Sequence, residues 1–567
     1  MGVLDPLPPP YDPLDWKARP LAERAKMVCQ AWALQGYGTP FPAFIAYGLK
    51  VVLYVGGWVF FCSFSRDLGG WSTVQEWWLH PEAFQKAILW SMLFEVSGLG
   101  CGSGPLTGRY FPPIGGALYF LYPGTTKAAT FPGAPFIGGE TRGVPEVTLY
   151  LALLVALFGA LLSPELSTSW LLAVVVLVPL TGIFDKTVFL AARSEHYWIT
   201  AVIFLFAVDW IPGAKIAQAA LWFWAGVSKL NRHFPAVVCV MNSNSPFTRM
   251  PWMRKPLYRN YPDDLRPSAL AAALAHFGAA LELSVPVLLL LGDGGTVTLV
   301  GMVLMVVLHG FITSTVPMGV PIEWNVMVVY GAFFLFGEHA SASVFALEPL
   351  WLYAPLLTVS VLIPLIGNFK PEWISFLMAM RYYAGNWATS VWFFEGESYR
   401  KLAALKKTSP WVHDQLALVY DEAQAVGLFG KVIAFRAMHI HGRAFMGLVH
   451  RALEDPDRYE WIDGEIVAGL AVGWNFGEGH LHNEQLLRTL QNQCGFEPGE
   501  LRCIFIESQP LLNPRLAYRI HDASTGELER GKIRIDDIID RQPWEMECPP
   551  ISMQSSLARA QTDSPRR

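Results

Sequence analysis

Apolar residues fall into long uninterrupted runs up to about residue 368 and into short runs broken by turns beyond it. A helix rises 1.5 Å per residue, so crossing about 30 Å of hydrocarbon takes about 20 apolar residues. Ten runs approach that length, at roughly 43–63, 84–99, 147–163, 169–184, 197–211, 215–231, 269–291, 296–316, 325–341 and 350–367. Past residue 369 the pattern predicts helices over 399–425, with Lys401, Lys406 and Lys407 on polar faces. Strands are predicted over 464–474, 501–508, 515–521 and 530–538, separated by Asp-Gly and Thr-Gly breaks. The expected fold is therefore an α-helical multi-pass membrane domain of about 10 transmembrane helices followed by a soluble α+β domain.

Expected segments follow from the same pattern. Residues 1–42 form an N-terminal arm in which 21–35 reads either as an interfacial helix, with Arg24 and Lys26 at head-group level and Trp32 as an anchor, or as a plain structural arm. Residues 43–145 add two spans and a Gly-rich re-entrant or loop region, 146–368 form the transmembrane core, 369–547 the soluble domain and 548–567 a disordered tail. Within 98–143 there are twelve Gly, with no Gly-Lys-Ser/Thr to make a phosphate loop, and Arg109 and Lys127 are placed to meet lipid head groups.

Composition sharpens the division. Charged residues are 16% of the chain against about 25% in soluble domains. They number 41 in residues 1–368 and 48 in the much shorter 369–567. The net charge of −5, without a basic block, excludes nucleic acid as a partner. Seven Cys without a C-x-x-C pair exclude a zinc cluster, although Cys494 and Cys503 are spaced to pair in an oxidising compartment. No basic stretch followed by a short apolar run opens the chain, so insertion through its own helices is expected. Lys17, Arg19, Arg24 and Lys26 in the arm, and Arg232, Arg249, Arg254, Lys255, Arg259 and Arg266 after the sixth run, mark one side as cytoplasmic. The turns at 164–168 and 292–295 carry neither Lys nor Arg, and ten spans put both termini inside.

Ionisable side chains within hydrocarbon cost several kcal/mol and are candidates for chemistry. The chain concentrates them in one stretch: Asp185, Lys186, Glu195, His196, Asp209, Lys229, His276, Glu282, His309 and Glu323. Lys229 follows an apolar, Trp-rich helix in LWFWAGVSKLNRHF; a lysine so surrounded can act as a base near neutral pH, or can snorkel from a helix end. His196, His276 and His309 read singly as packed core residues, and His276 and Glu282, six apart, do not share a helix face. His439-Ile-His441 and His480-Leu-His482 would each share a face on a strand, but without clustered partners no metal site is expected.

Taken in order, these pieces resemble a known family. Asp185-Lys186-Thr187, Glu195-His196-Tyr197, Ala225-Gly226-Val227-Ser228-Lys229-Leu230-Asn231, Ala275-His276-Phe277-Gly278 with Glu282, and His309 one helix later lie within about 147–340. That segment is similar to the vitamin K-dependent γ-glutamyl carboxylase and its bacterial relatives, the horizontally transferred transmembrane (HTTM) proteins. Ser228 stands where the carboxylase has the first Lys of its pair, Asn231 replaces its Asp and Glu195 replaces an Asn. The C-terminal part, with WNFGEGHLHNEQLL, resembles instead the tails of uncharacterised actinobacterial multi-pass proteins.

The resemblance implies a membrane-embedded enzyme of the cell membrane. Lys229 would be its base and His196 would assist, with His276 and His309 catalytic and Asp185, Lys186, Glu195 and Glu282 supporting. It implies a reduced quinone as cofactor, a lipid or quinone substrate reached from the bilayer, and a C-terminal domain on the non-cytoplasmic side, against the parity of ten spans. The alternative is a non-catalytic lipid-handling or membrane-complex assembly protein whose soluble domain docks a protein partner.

Overall fold

The computed structural model describes residues 5–100, 115–315 and 321–556. Helices occupy all ten apolar runs, but length and composition qualify five as spans among the described residues: Phe41–Cys62, Val144–Leu162, Ala269–Leu291, Thr296–Ser314 and Leu350–Phe369. A sixth apolar helix, Thr168–Phe184, is shorter. The count of ten is thus not supported. Pro81–Val96 carries Lys86 and Glu95 and is buried on nearly every side, and the helix from Ile199 ends after eight residues at Phe206. Each of the five spans has only 17 to 39% of its apolar window buried, so their outward faces form the belt that meets lipid.

The C-terminal part is α+β, as expected. Its six strands run in the order β4-β3-β5-β6-β7-β8, every pair antiparallel: β3 is Thr389–Glu395, β4 Tyr459–Asp463, β5 Leu501–Ile506, β6 Arg515–Asp522, β7 Gly526–Arg534 and β8 Ile551–Ser556. A short hairpin of β1 (Tyr258–Asn260) and β2 (Asp264–Pro267) precedes it. The strand predicted over 464–474 is instead a helix, Gly464–Val472, capped by Asp463 and closed by Gly473 at φ 91°. Its run Ile466–Val472 is apolar on every side, and periodicity alone does not separate a buried strand from a buried helix. The predicted helical stretch 399–425 is mostly a 3-10 turn, Ser398–Ala404, and a short helix, Val412–Ala417. The long helix begins at Glu422, where Asp421 and Gln424 form a capping box, and ends at Met438. β8 occupies part of the segment expected to be tail; residues 557–567 lie outside the described ones.

The arm contributes a helix where expected, Leu21–Gln35, but its surroundings differ. Arg24 and Trp32 are buried, and Trp32 donates from Nε1 to the Val240 carbonyl at 3.2 Å. An amphipathic helix with a Trp reads the same whether protein or lipid covers it, and here Glu422–Met438 covers it. Gly430 is small enough to receive Trp16, and the Leu21 amide donates to Asp457 at 2.7 Å. Arg259 pairs with Asp540, and Arg232 with Asp536. Arm, segment 232–267 and C-terminal domain therefore sit together at one end of the helical part.

Of the Gly-rich region, residues 101–114, with Arg109, lie outside the described ones. After them a short helix, Gly115–Phe120, and the loop that follows pack on the C-terminal domain: Tyr119 donates to the Leu470 carbonyl at 2.5 Å and Asn492 to Glu140 at 2.8 Å. Lys127, expected near head groups, is buried in an ion pair with Glu146.

Candidate functional site

The helical part places most of the residues singled out from sequence in three locations; Asp209 lies apart from them, exposed, and accepts from the Ile211 amide at 3.0 Å. At the first, Lys229 closes the helix Ile211–Ser228, and its ammonium pairs with Glu282 of the neighbouring Ala269–Leu291. The ring of Phe234 lies 5.7 Å away. His309 links helices nearby: Nε2 accepts from Trp222 Nε1 at 2.9 Å and Nδ1 meets the Asn325 side-chain oxygen at 2.7 Å, so both ring nitrogens are occupied. His276 is exposed on the outer face of its helix and takes no part. The lysine is thus half of an ion pair.

At the second, Asp185 accepts from the Thr187 amide at 3.0 Å, capping Lys186–Ala191, and from Arg142 Nε at 2.8 Å. Beside it, Phe120, Arg142, Glu146 and Tyr150 help line a cavity of about 10 Å³, room for about one water. Asp185 is satisfied there as a structural cap.

The third location is the most deeply buried and the least satisfied. After Lys186–Ala191 the chain turns through Arg193 in a left-handed conformation, φ 51°, into a π-helical turn, Ser194–Trp198. A non-glycine residue held so costs about 1–3 kcal/mol and persists only where the surroundings enforce it. Here the Arg193 guanidinium is enclosed by Trp324, Phe476 and Tyr382, with ring centroids 4.7, 4.8 and 5.6 Å away. Its Nε donates to Glu195 Oε1 at 2.8 Å, and the Tyr382 hydroxyl donates to the same oxygen at 3.2 Å. Among the described residues, both terminal nitrogens of Arg193, Glu195 Oε2, His196 Nδ1, the Tyr197 hydroxyl, Trp324 Nε1 and Glu95 Oε1 have no hydrogen-bond partner. Glu95 lies within electrostatic reach of Arg193, Glu195, Lys50 and Glu323, and a side chain at Gly100 would overlap its carboxylate. The Gly-rich run therefore starts against this centre. Unpartnered buried polar atoms are rare in folded proteins, and five of these seven belong to residues 193–197.

Sequence reasoning reached Glu195 and His196 but missed Arg193, Glu95, Tyr197, Tyr382 and Phe476. Glu95 and Arg193 were open to the same intramembrane-charge argument that found Glu195. Phe476 comes from the C-terminal turn Trp474–His482, which no local pattern ties to the membrane part.

That turn carries His480 and His482. His480 Nε2 lies 3.2 Å from Glu507, and burial, which would lower its pKa, is outweighed by Glu507 and Glu478, which hold it above its usual value. His482 Nδ1 meets Ser390 at 2.7 Å. His439 sits at the junction of Glu422–Met438 and Ile440–Ala452, so neither histidine pair is on a strand. Among the described residues no group of His, Cys, Asp and Glu is arranged to hold a metal, and all the cysteines are free, Cys494 and Cys503 included.

The chain belongs to the family described as transmembrane protein of unknown function (DUF3556), whose model matches residues 1–554. This membership replaces the carboxylase-like and actinobacterial-tail resemblances, which the comparisons do not support. No curated protein and no solved structure matches the chain.

Proposed function

We propose that this member of the DUF3556 transmembrane family binds the polar part of a lipid-borne molecule at the Arg193 centre and acts on it by acid–base chemistry. The observation that carries the reading is the convergence of unpartnered donors and acceptors on the turn Ser194–Trp198 and its neighbours. Arg193 and Tyr197 supply donors to the oxygens of a bound group, while Glu195, oriented by Arg193 and Tyr382, offers its second oxygen as the proton acceptor. Walls of Trp324 and Phe476 exclude water, which strengthens each of these interactions. A quinone or a lipid head group suits such a lining. Lys229 is assigned to the architecture through Glu282, and the lysine-base carboxylation chemistry is set aside.

A second reading, a non-catalytic assembly protein, is favoured by the locally closed pairs Lys229–Glu282, Arg142–Asp185 and Lys127–Glu146. The two are separated by comparing lipid and quinone extracts of cells lacking the protein and complemented with wild type, Glu195→Gln or Lys229→Ala. The proposal expects a component that returns with wild type, is lost by at least about a hundredfold in Glu195→Gln, in line with removal of a general base, and survives in Lys229→Ala at equal membrane abundance. Full restoration by Glu195→Gln would overturn it and favour the assembly reading.

A further inference from the structure

Between the helix Phe234–Asn242 and β1, the chain exposes three large apolar side chains, Phe247 (73%), Met250 (58%) and Trp252 (72%). Exposed Arg249 and Lys255 alternate with them, and neither has an ion-pair partner among the described residues. The loop is not loose. Buried Arg254 donates to the Ser245 carbonyl at 3.0 Å and to the Leu34 carbonyl, and the Ser245 hydroxyl meets that of Ser314 at 3.0 Å. Ser314 is the last residue of the span Thr296–Ser314, which puts the loop at the membrane boundary on the side of the C-terminal domain. The span Ala269–Leu291 continues the apolar surface through exposed Leu270, Leu274 and Phe277. Lys255 lies 5.5 Å from the Tyr261 ring. Rigid apolar tips interleaved with cations that have no ion-pair partner among the described residues, and continuous with the lipid belt, match one partner in both chemistry and position.

We propose that this loop is a docking site for anionic phospholipid. Phe247, Met250 and Trp252 enter the interfacial layer of the leaflet on the C-terminal-domain side, while Arg249 and Lys255 hold phosphate-bearing head groups. A second tip behaves alike: exposed Phe131 and Phe136 lie on a loop whose Thr130 hydroxyl donates to the Gly182 carbonyl near the end of Thr168–Phe184. This surface is separate from the Arg193 centre and does not depend on its role.

The test uses the full-length protein in nanodiscs of phosphatidylcholine, with or without phosphatidylglycerol. Wild type retains phosphatidylglycerol on release into mild detergent, read by native mass spectrometry, and each of Arg249→Gln and Lys255→Gln weakens that retention about fivefold while leaving the unfolding temperature in phosphatidylcholine unchanged. Benzoylphenylalanine in place of Trp252 forms adducts with phospholipid. Equal anionic-lipid retention by the variants, or crosslinks from position 252 to a second copy of the chain in place of lipid, would overturn the proposal.

Discussion

Glu507 and His480 show how burial and pairing compete at a single contact. Burial alone would raise the Glu507 carboxyl, but His480 and the Ser508 amide bring it below its usual value, and Glu507 in turn raises His480. A raised histidine gives stability that is complete below its unfolded value, about 6.5, and is lost as pH climbs through the folded value. A lowered carboxylate gives stability that is present above its unfolded value, about 4.3, and is lost on acidification. The pair thus contributes most between about pH 4.3 and 6.5. We expect the loss of unfolding temperature caused by Glu507→Gln to be larger at about pH 6 than at about pH 9; an equal loss at both would contradict the assignment. Neither partner was legible as a pair from sequence, because β5 and the turn Trp474–His482 meet only through the sheet. Arg193 and Glu195 were hidden differently: two residues apart, they face each other only because Arg193 adopts a left-handed conformation. Lys229 was legible as buried, but its partner on another helix was not.

Apolar runs made the helical segments readable, since in each the run is nearly as long as the helix. Number and environment were less accessible. Pro81–Val96 is covered by protein and Phe41–Cys62 largely is not, yet both read as apolar. The helix Gly464–Val472 shows the same degeneracy between strand and helix. Its closure depends on Gly473, where φ is 91° and any Cβ would strike the Tyr119 ring. Gly473→Ala therefore combines backbone strain with overpacking, and should lower stability by about 2–4 kcal/mol, measured as loss of folded protein on thermal challenge in detergent. Trp32 is fully buried between the arm and Glu422–Met438, so Trp32→Ala should cost about 3–5 kcal/mol by the same assay. A helix resting on lipid would lose far less.

The arm from residue 5 and the C-terminal sheet lie on one side of the helical part. Val144–Leu162 leaves that side beside the Lys127–Glu146 pair, and its 19 residues carry the chain about 28 Å to the turn where Arg66 meets Glu165. An impermeant thiol reagent should thus reach exposed Cys548 and a cysteine placed at Asp15 from the same face of the membrane, and one placed at Glu165 from the other. Labelling of Asp15→Cys and Cys548 from opposite faces would refute the arrangement. The rise in charge density past residue 368 coincides with the change from long apolar helices to the sheet-bearing part, but the sharing of one apolar core by the arm and the last third was not legible, since that core joins Trp16, Cys29 and Trp32 to Phe445, Ile504 and Ile520 across most of the sequence. That shared core has a consequence for biosynthesis. The arm leaves the ribosome ahead of its partner helix Glu422–Met438 and must wait, apolar face uncovered, for roughly 400 residues, about 20–80 s at ordinary elongation rates. Until then the nascent chain needs a chaperone or the bilayer surface to cover that face, and a truncated product would leave it permanently exposed to quality-control proteases.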